Sequence, residues 1–253
     1  MLISVVTATY NRENTVRDAV ESLYRQTYAN FEHIVQDGGS TDKTLAQLHA
    51  MKRDKTHILS EKDGGLYDAL NKGIKRATGD VIGLMHSDDF FASDHVLEKI
   101  SEAFQDPAID GLYGDLQYIS ATDPERIIRH WRAGSYSPNL LRRGWMPPHP
   151  TLYLRREVFE RWGYYDTQFQ IAADYDAMLR YLVRGEINLA YIPEVLVKMR
   201  VGGESNKSIG RIIQKSREDY RALRRNNVGG LGTLALKNFS KLGQFFIRSE
   251  DKK

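Results

Sequence analysis

The chain of 253 residues contains no cysteine. A disulfide framework and thiolate metal sites are therefore excluded, and the composition fits a reducing compartment. No apolar run approaches the ~18 residues that a membrane-spanning helix needs. The opening residues, Met1-Leu2-Ile3-Ser4-Val5-Val6, pass straight into a strand pattern, with no basic segment and no small-residue cleavage site. The expectation is a protein without a signal peptide, in the cytoplasm. Proline is scarce, and four of the 7, Pro138, Pro147, Pro148 and Pro150, fall in one stretch that reads as loop. No internal repeat or low-complexity tract is present, which excludes solenoid architectures and leaves one large domain, with or without an appendage.

A strong overall charge is missing as well, since the net is +3, but its distribution is uneven. From Arg200 onward there are 13 Lys and Arg against 5 Asp and Glu, so a mildly acidic body carries a basic arm. Such arms meet anionic surfaces. Leu234, Phe239, Leu242, Phe245 and Phe246, interleaved with Lys237, Lys241 and Arg248, read either as an interfacial helix or as a basic helix docked on the domain. Nothing in the arm has a base-reading pattern, so nucleic acid is not an expected partner, and a nucleic-acid-binding protein using the arm is the lesser alternative.

What the chain does have is alternation. Strands are expected over 2–8, 31–36, 57–60 and 80–85, and helices over 13–26, from 40–42 to about 51, and over 66–76. Such alternation predicts a doubly wound α/β domain with a mainly parallel sheet. Ligands of such sheets bind beyond the carboxyl ends of the strands. The second half is less regular. Paired strands are expected over 111–119 and 126–131, a helix over 172–184, one or two strands over 189–200, and helices over 208–226 and 234–248.

Polar clusters follow the expected strands. The run 81–85 ends in His86-Ser87-Asp88-Asp89. Adjacent carboxylates repel unless a cation attends them, and a hard divalent ion carrying a diphosphate suits this. The competing reading is a turn in which Asp88 or Asp89 caps a helix starting near Ser93. The turn Asp37-Gly38-Gly39-Ser40-Thr41-Asp42 lacks the Lys-Ser/Thr ending of a phosphate loop, so its acid suits a base N–H or ribose hydroxyl, unless it is a plain capped turn. In Asp63-Gly64-Gly65-Leu66-Tyr67-Asp68-Ala69-Leu70-Asn71-Lys72-Gly73, Asp68 and Asn71 share a helix face, with Lys72 directed elsewhere. In Ala172-Ala173-Asp174-Tyr175-Asp176, acids fall in a first helical turn, where the dipole alone would favour them and a general base would also fit. His149, between Pro148 and Pro150, is either a ligand contact or a packed loop residue.

In order, Ser4-Val5-Val6-Thr7-Ala8-Thr9-Tyr10-Asn11-Arg12, Gln36 to Asp42, Gly65 to Gly73 with Ala77-Thr78-Gly79-Asp80, His86 to Asp89, and Ala173-Asp174-Tyr175-Asp176 with Leu179-Arg180 resemble glycosyltransferase family 2. The resemblance covers about the first 205 residues. It implies a GT-A fold, Rossmann-like with helices on both faces of the sheet, and an inverting enzyme that uses a nucleotide sugar, UDP by preference. The implied division is 1–205 for the transferase domain, split near 90 into nucleotide and acceptor halves, and 206–253 for the basic helical extension. By position, Thr9, Asn11 and Arg12 would line the nucleotide pocket and Asp37 would contact the base. Asp68, Lys72 and Ser87 would lie near the donor's sugar and phosphates. Asp88 would be the metal acid of a DXD-type motif for Mg²⁺ or Mn²⁺, and Asp174 the general base, with Asp176 the alternative.

Three departures stand out. His86 occupies the place of the first DXD acid, which makes it a candidate metal ligand. Ala173 replaces the Glu of the family's Glu-Asp pair. The stretch 199–205 lacks the histidine that completes the metal site in many relatives, so Arg200 is expected on the diphosphate. Trp145, His149 and Tyr136 are candidate sugar contacts for a glycan or lipid-linked acceptor in cell-surface polysaccharide synthesis. With the arm, this places the protein at the inner face of the cytoplasmic membrane as a peripheral protein. A non-catalytic nucleotide-sugar binder is the alternative that His86 and Ala173 suggest. A nucleotidyltransferase would need a basic glycine-rich N-terminal loop, and 7–12 is not one.

Overall fold

The computed structural model describes residues 1–202 and 209–243. The expected arm residues Phe245, Phe246 and Arg248, and the side chains of Lys241 and Leu242, lie outside what it describes. The first half runs β1 (Ile3–Thr9), α1 (Val16–Tyr24), β2 (Phe31–Asp37), α2 (Thr44–Met51), β3 (Thr56–Ser60), α3 (Leu66–Arg76) and β4 (Val81–Leu84). Then follow β5 (Phe90–Phe91), α4 (Val96–Ala103), β6 (Gly111–Ile119), β7 (Ile127–Trp131), α5 (Pro138–Leu141) and a 3₁₀ turn at His149–Thr151. The chain continues through β8 (Tyr153–Arg155), α6 (Arg156–Trp162), α7 (Ala173–Val183), β9 (Leu189–Arg200), α8 (Ile209–Arg225) and α9 (Leu231–Gly243).

All strands join one sheet in the order β3-β2-β1-β4-β8-β6-β9-β5, with β7 also on β6. The first four are parallel, each returned by a helix. The sheet is mainly parallel, as expected, with β6 and β9 also parallel; β8 is an exception, antiparallel to both β4 and β6. The reason lies in 132–152, which stays at the carboxyl edge with a single helix of four residues. No crossover returns the chain to the amino edge, so β8 runs backward. The competing reading, a cap at 88–89 for a helix near Ser93, is not seen: Phe90–Phe91 pairs with β9, and α4 starts three residues after Ser93 without a side-chain cap.

Strand residues alternate between two cores. Val6, Ala8, Ile82 and Leu84 pack with α3, α6 and α7 on one face. Ile3, Val5 and Val81 pack with α1 and α4 on the other. Burial on both faces explains why these strands read as continuous apolar runs. Gly83 sits under the Tyr153 ring of β8, and any Cβ there would overlap that ring.

The C-terminal helices pack on this body. Ala222 and Leu223 of α8 are fully buried in the α7 core. On α9, Lys237 is buried, with Nζ 2.6 Å from Asp219 Oδ1 and 3.2 Å from the Tyr175 ring centroid. Lys215 reaches the same acid at 3.1 Å. Burial acts to raise the Asp219 carboxyl, and the two lysines overcome it, leaving it below the usual range. Of the two readings of the arm, the described part of α9 is docked. Its outer side still exposes Leu231, Leu236 and Phe239, at 71%, 51% and 67%. No helix among the described residues is long and apolar enough to cross a membrane.

His33 of β2 is buried, with Nε2 3.0 Å from Thr7 Oγ1, and burial pushes its imidazole down to about 3. Below pH ~6.5 the unfolded chain binds a proton that the folded chain refuses. Stability should fall as pH drops from ~6.5 towards 3, by at most about 1.4 kcal/mol per pH unit from this residue. Urea unfolding of wild type and His33→Gln at pH 7 and pH 5 checks this. The variant should lose less on acidification, and equal losses would contradict a neutral buried His33.

Candidate functional site

Three parallel strands end side by side, and their polar tails meet. Thr9 closes β1, and its buried Oγ1 has no hydrogen-bond partner. Asn11 adopts a left-handed conformation (φ 50°), which asparagine tolerates, and its side chain accepts from the Thr41 N–H at 2.9 Å. Arg12 is half-buried beside it, its main-chain N–H on Thr44 Oγ1. These ties join the β1 and β2 loops into one rim.

Asp37 departs from its expected role. It is fully buried, and its carboxylate accepts from the Gly39 and Ser40 N–H groups and from the Ser40 and Ser60 hydroxyls, at 2.5–3.1 Å. With its oxygens occupied in this way it shapes the rim and does not present itself to a base. The acid that sequence reasoning missed is Asp63. One of its oxygens accepts from the Gly65 N–H at 2.9 Å, and the other lies over Gly38 where a Cβ would have been 2.6 Å away. Tyr10, 56% exposed, borders the same spot. The missing side chain at Gly38 was the signal, because it opens this corner.

On α3, Asp68 accepts from the Gly64 N–H at 2.9 Å. Lys72 is not directed away from it, as expected, but bridges Asp68 at 3.5 Å and Glu61 at 3.0 Å, one helical turn apart from the former. Those hydrogen bonds, Glu61 first, hold its ammonium above the ordinary range. Asn71, which shares a face with Asp68 in the sequence reading, is buried and grips the Tyr165 main chain through both its amide atoms, at 2.8 and 3.0 Å.

Beyond β4, Ser87 is buried and Asp88 half-exposed. Asp89 is 2% exposed, accepts from the Arg200 N–H at 3.3 Å, and is pushed well above the carboxylate range by burial and by the Asp88 charge. Arg200 is also corrected. Its guanidinium is buried, donating to the Asp88 carbonyl at 2.9 Å, pairing with Asp18, and lying over the Phe90 ring. Its donors pin the turn from behind and are not aimed at a ligand.

Asp174 stands across the cleft, on the first turn of α7, 22% exposed. The Tyr67 hydroxyl lies 3.1 Å from its Oδ1 and 2.7 Å from the Ile171 carbonyl. Burial, then the Asp174 charge, raise that phenol well above its ordinary value, so it remains a donor. His149 Nδ1 is 3.9 Å from Asp174 Oδ2, and its Nε2 is 2.9 Å from the Tyr165 hydroxyl. The His86 ring lies tilted against that of His149, centroids 5.9 Å apart, and feels the charges of both Asp88 and Asp174. Burial is the chief cause that lowers both imidazoles, His149 to about 4, so both are neutral at pH 7. Asp176, the alternative base, is 1% exposed and holds Arg180 at 3.0 Å and Asn226 at 2.9 Å. It is a structural ion pair.

Among the described residues, no group of three or more His, Asp or Glu converges to cage a metal. Asp88 offers a single outward carboxylate, with His86 beside it. That donor set fits an ion held by one acid and by phosphate oxygens, the usual habit of Mg²⁺. On the acceptor side, Trp145 donates to the Ala133 carbonyl at 2.9 Å and stacks on Tyr136 at 5.1 Å.

Residues 4–169 match the family described as Glycosyl transferase family 2. The chain belongs to that family. An uncharacterized glycosyltransferase of Mycobacterium tuberculosis is 32% identical over 183 residues, 70% of this chain and 68% of the relative. The PGL/p-HBAD biosynthesis glycosyltransferase of the same species is 27% identical, across 81% of this chain and 79% of that protein. Among solved structures, Staphylococcus aureus TarS 1-349 in complex with UDP-GlcNAc superposes with a TM-score of 0.69 at 18% identity, covering 90% of this chain and 66% of that one. Mannosyltransferase PcManGT from Pyrobaculum calidifontis, in complex with GDP-Man and Mn²⁺, gives 0.67 at 17% identity, covering 96% and 70%. At these identities the likeness shows the fold, which is GT-A. This family member is a glycosyltransferase, with its strand-end cleft built as above.

Removing the Asp176 partner would strand Arg180 in the interior, which costs roughly 3–5 kcal/mol. Asp176→Ala should therefore lower the thermal midpoint sharply, whereas Asp174→Asn should leave it close to wild type. Differential scanning fluorimetry of both variants checks the division.

Proposed function

We propose that this chain transfers a sugar, with inversion, from a nucleotide-sugar donor to a hydroxyl of a glycan or lipid-linked acceptor. A UDP-hexose or UDP-N-acetylhexosamine is the favoured donor. The observation that carries the reading is the pair Asp88 and Asp174, two partly exposed acids facing one cleft on either side of the neutral, tilted His86–His149 ring pair. Thr9 Oγ1, buried and unpartnered, offers a hydrogen bond to the nucleotide, and Tyr10, Gly38 and Asp63 form a corner suited to a base with an N–H to donate. Asp88, with His86 beside it, would hold Mg²⁺ or Mn²⁺, which when bound neutralises charge on the leaving diphosphate. Arg12 at the rim adds positive charge for the phosphates, whereas the charge of Lys72 is taken up by Asp68 and Glu61.

Asp174 takes the proton from the acceptor hydroxyl as its oxygen bonds to the anomeric carbon. The bond from that carbon to the diphosphate oxygen breaks, and its electron pair leaves with the nucleotide. A single displacement inverts the configuration. The Tyr67 hydroxyl orients the base and His149 lies beside it, and neither brings a charge to it. The Trp145–Tyr136 stack is the proposed acceptor platform, since aromatic faces suit pyranose rings.

The name of the Mycobacterium tuberculosis relative, in PGL/p-HBAD biosynthesis, supports a lipid-linked acceptor. So does the arm. Arg142 and Arg224 line a cavity of about 410 Å³ at the α8–α9 junction, on the helix that exposes Leu231, Leu236 and Phe239. Apolar and cationic groups together suit an anionic membrane surface.

UDP-glucose, UDP-galactose, UDP-N-acetylglucosamine and GDP-mannose, each with Mn²⁺, should give nucleotide release with one or two of the four. Asp174→Asn should lose at least about 100-fold in turnover while binding UDP as wild type does. Asp88→Ala should weaken Mn²⁺-dependent UDP binding in calorimetry. Release by neither wild type nor any donor would favour a non-catalytic binder. In flotation with vesicles containing anionic lipid, a Leu236→Asp, Phe239→Asp variant should float less than wild type, and equal flotation would remove the membrane contact.

A further inference from the structure

The helix that carries Asp174 has no cap of its own. α7 begins at Ala173 behind Ala172, whose side chain cannot accept a hydrogen bond. The main-chain N–H groups at a helix start have no partner within the helix and must find one elsewhere. Here the N–H of the N-cap residue, Ala172, and that of Ile171 just before it find one 46 and 47 residues away. Glu218 Oε2, on α8, accepts from the Ile171 N–H at 2.8 Å and from the Ala172 N–H at 3.0 Å. Its other oxygen accepts from Gln214 at 3.0 Å, which fixes the rotamer. We infer that Glu218 is a positioning residue for the catalytic base: a capping-box glutamate supplied from the C-terminal arm that sets where Asp174 stands in the cleft.

The geometry around it points the same way. Ile171 is held at both its main-chain groups, by Glu218 at the N–H and by the Tyr67 hydroxyl at the carbonyl. That hydroxyl is also the one that touches Asp174. A shift of the 171–172 backbone therefore moves the base and its donor together. α8 grips the same segment elsewhere, through Gln214 to Gln170, Arg221 to Gln168, Arg225 to Asp166 and Asn226 to Asp176. Those ties hold the segment in place, and Glu218 reaches the start of the helix itself. Its negative charge also suits the positive end of the α7 dipole. None of these contacts reaches the nucleotide corner at Tyr10, Gly38 and Asp63, so donor binding should not depend on them.

The inference rests on Asp174 as the base, and the experiment separates the two. Glu218→Ala, Glu218→Asp, Glu218→Gln and Asp174→Asn are compared with wild type, using the full chain and the most active donor of the four above. Readouts are kcat and donor KM from nucleotide release, and UDP affinity with Mn²⁺. Both hydrogen bonds go to one oxygen, so the Gln amide oxygen keeps them and Glu218→Gln should retain at least about half of kcat. Glu218→Asp keeps the charge but falls one methylene short, and it should lose about 10- to 100-fold in kcat, as should Glu218→Ala, with KM and UDP affinity within about twofold. Amide exchange at 171–176 should rise in Ala and Asp and not in Gln. Wild-type kcat in Glu218→Asp, with Asp174→Asn inactive, overturns the positioning role alone. Equal loss in Gln and Ala, or loss of UDP affinity along with kcat, also overturns it. Near wild-type turnover in Asp174→Asn overturns the base reading beneath it.

Discussion

Two carboxylates that adjoin in sequence cannot both stay charged in a protein interior, and the cleft is organised around how that conflict is resolved. At 88–89 the acids are sorted by depth. Asp89 turns inward, where burial and its neighbour's charge raise its carboxyl and the Arg200 N–H gives it a partner. Asp88 turns outward and stays partly exposed. Arg200 makes the sorting rigid, because its guanidinium takes the Asp88 carbonyl and the Asp18 carboxylate while its own backbone holds Asp89. β9 pairs with β5 immediately after the turn, so the far half of the sheet fixes the direction in which the 88–89 turn faces.

The same sorting recurs on α7 by a different geometry. Residues two apart on a helix lie about 200° apart around the axis. Asp174 and Asp176 therefore cannot share a face, and the fold uses both directions. Asp176 enters the interior, pairs with Arg180 and accepts a hydrogen bond from Asn226. Asp174 reaches the cleft, held by an uncharged phenol and near an uncharged imidazole.

Much of this was legible in the sequence because it is local. The βα alternation, the bounds of α3 and the polar tails of the parallel strands follow from periodicity and from what cannot be buried. The family resemblance then ordered the tails into a site. What could not be read is which way each polar group turns. Asp37 looks like a ligand contact until Ser60, 23 residues on, is seen to occupy it. Arg200 looks like a phosphate ligand until Asp18, 182 residues earlier, takes its donors. Asp176 differs from Asp174 through Asn226, 50 residues later, a partner that no spacing rule reaches. The reversal of β8 was hidden for a related reason, since a proline-rich loop does not declare on which edge of the sheet it stays.

The arm shows why a sequence boundary is not a mechanical one. Its basic composition suggests an appendage, yet its charges are spent unevenly. Lys215 and Lys237 are consumed internally by Asp219, and Arg225 by Asp166, so the net positive charge overstates what faces outward. What remains at the surface near the apolar face of α9 is smaller and more local, with Arg142 and Arg224 at its centre. The buried lysine fixes α9 to α8, and α8 in turn holds the start of α7. Burial of an ammonium is tolerable when a carboxylate and an aromatic face replace its water, as Asp219 and Tyr175 do here. A helix pinned in this way transmits its position to the segment bearing Asp174, so the last described helices belong to the working cleft as much as the strand ends do.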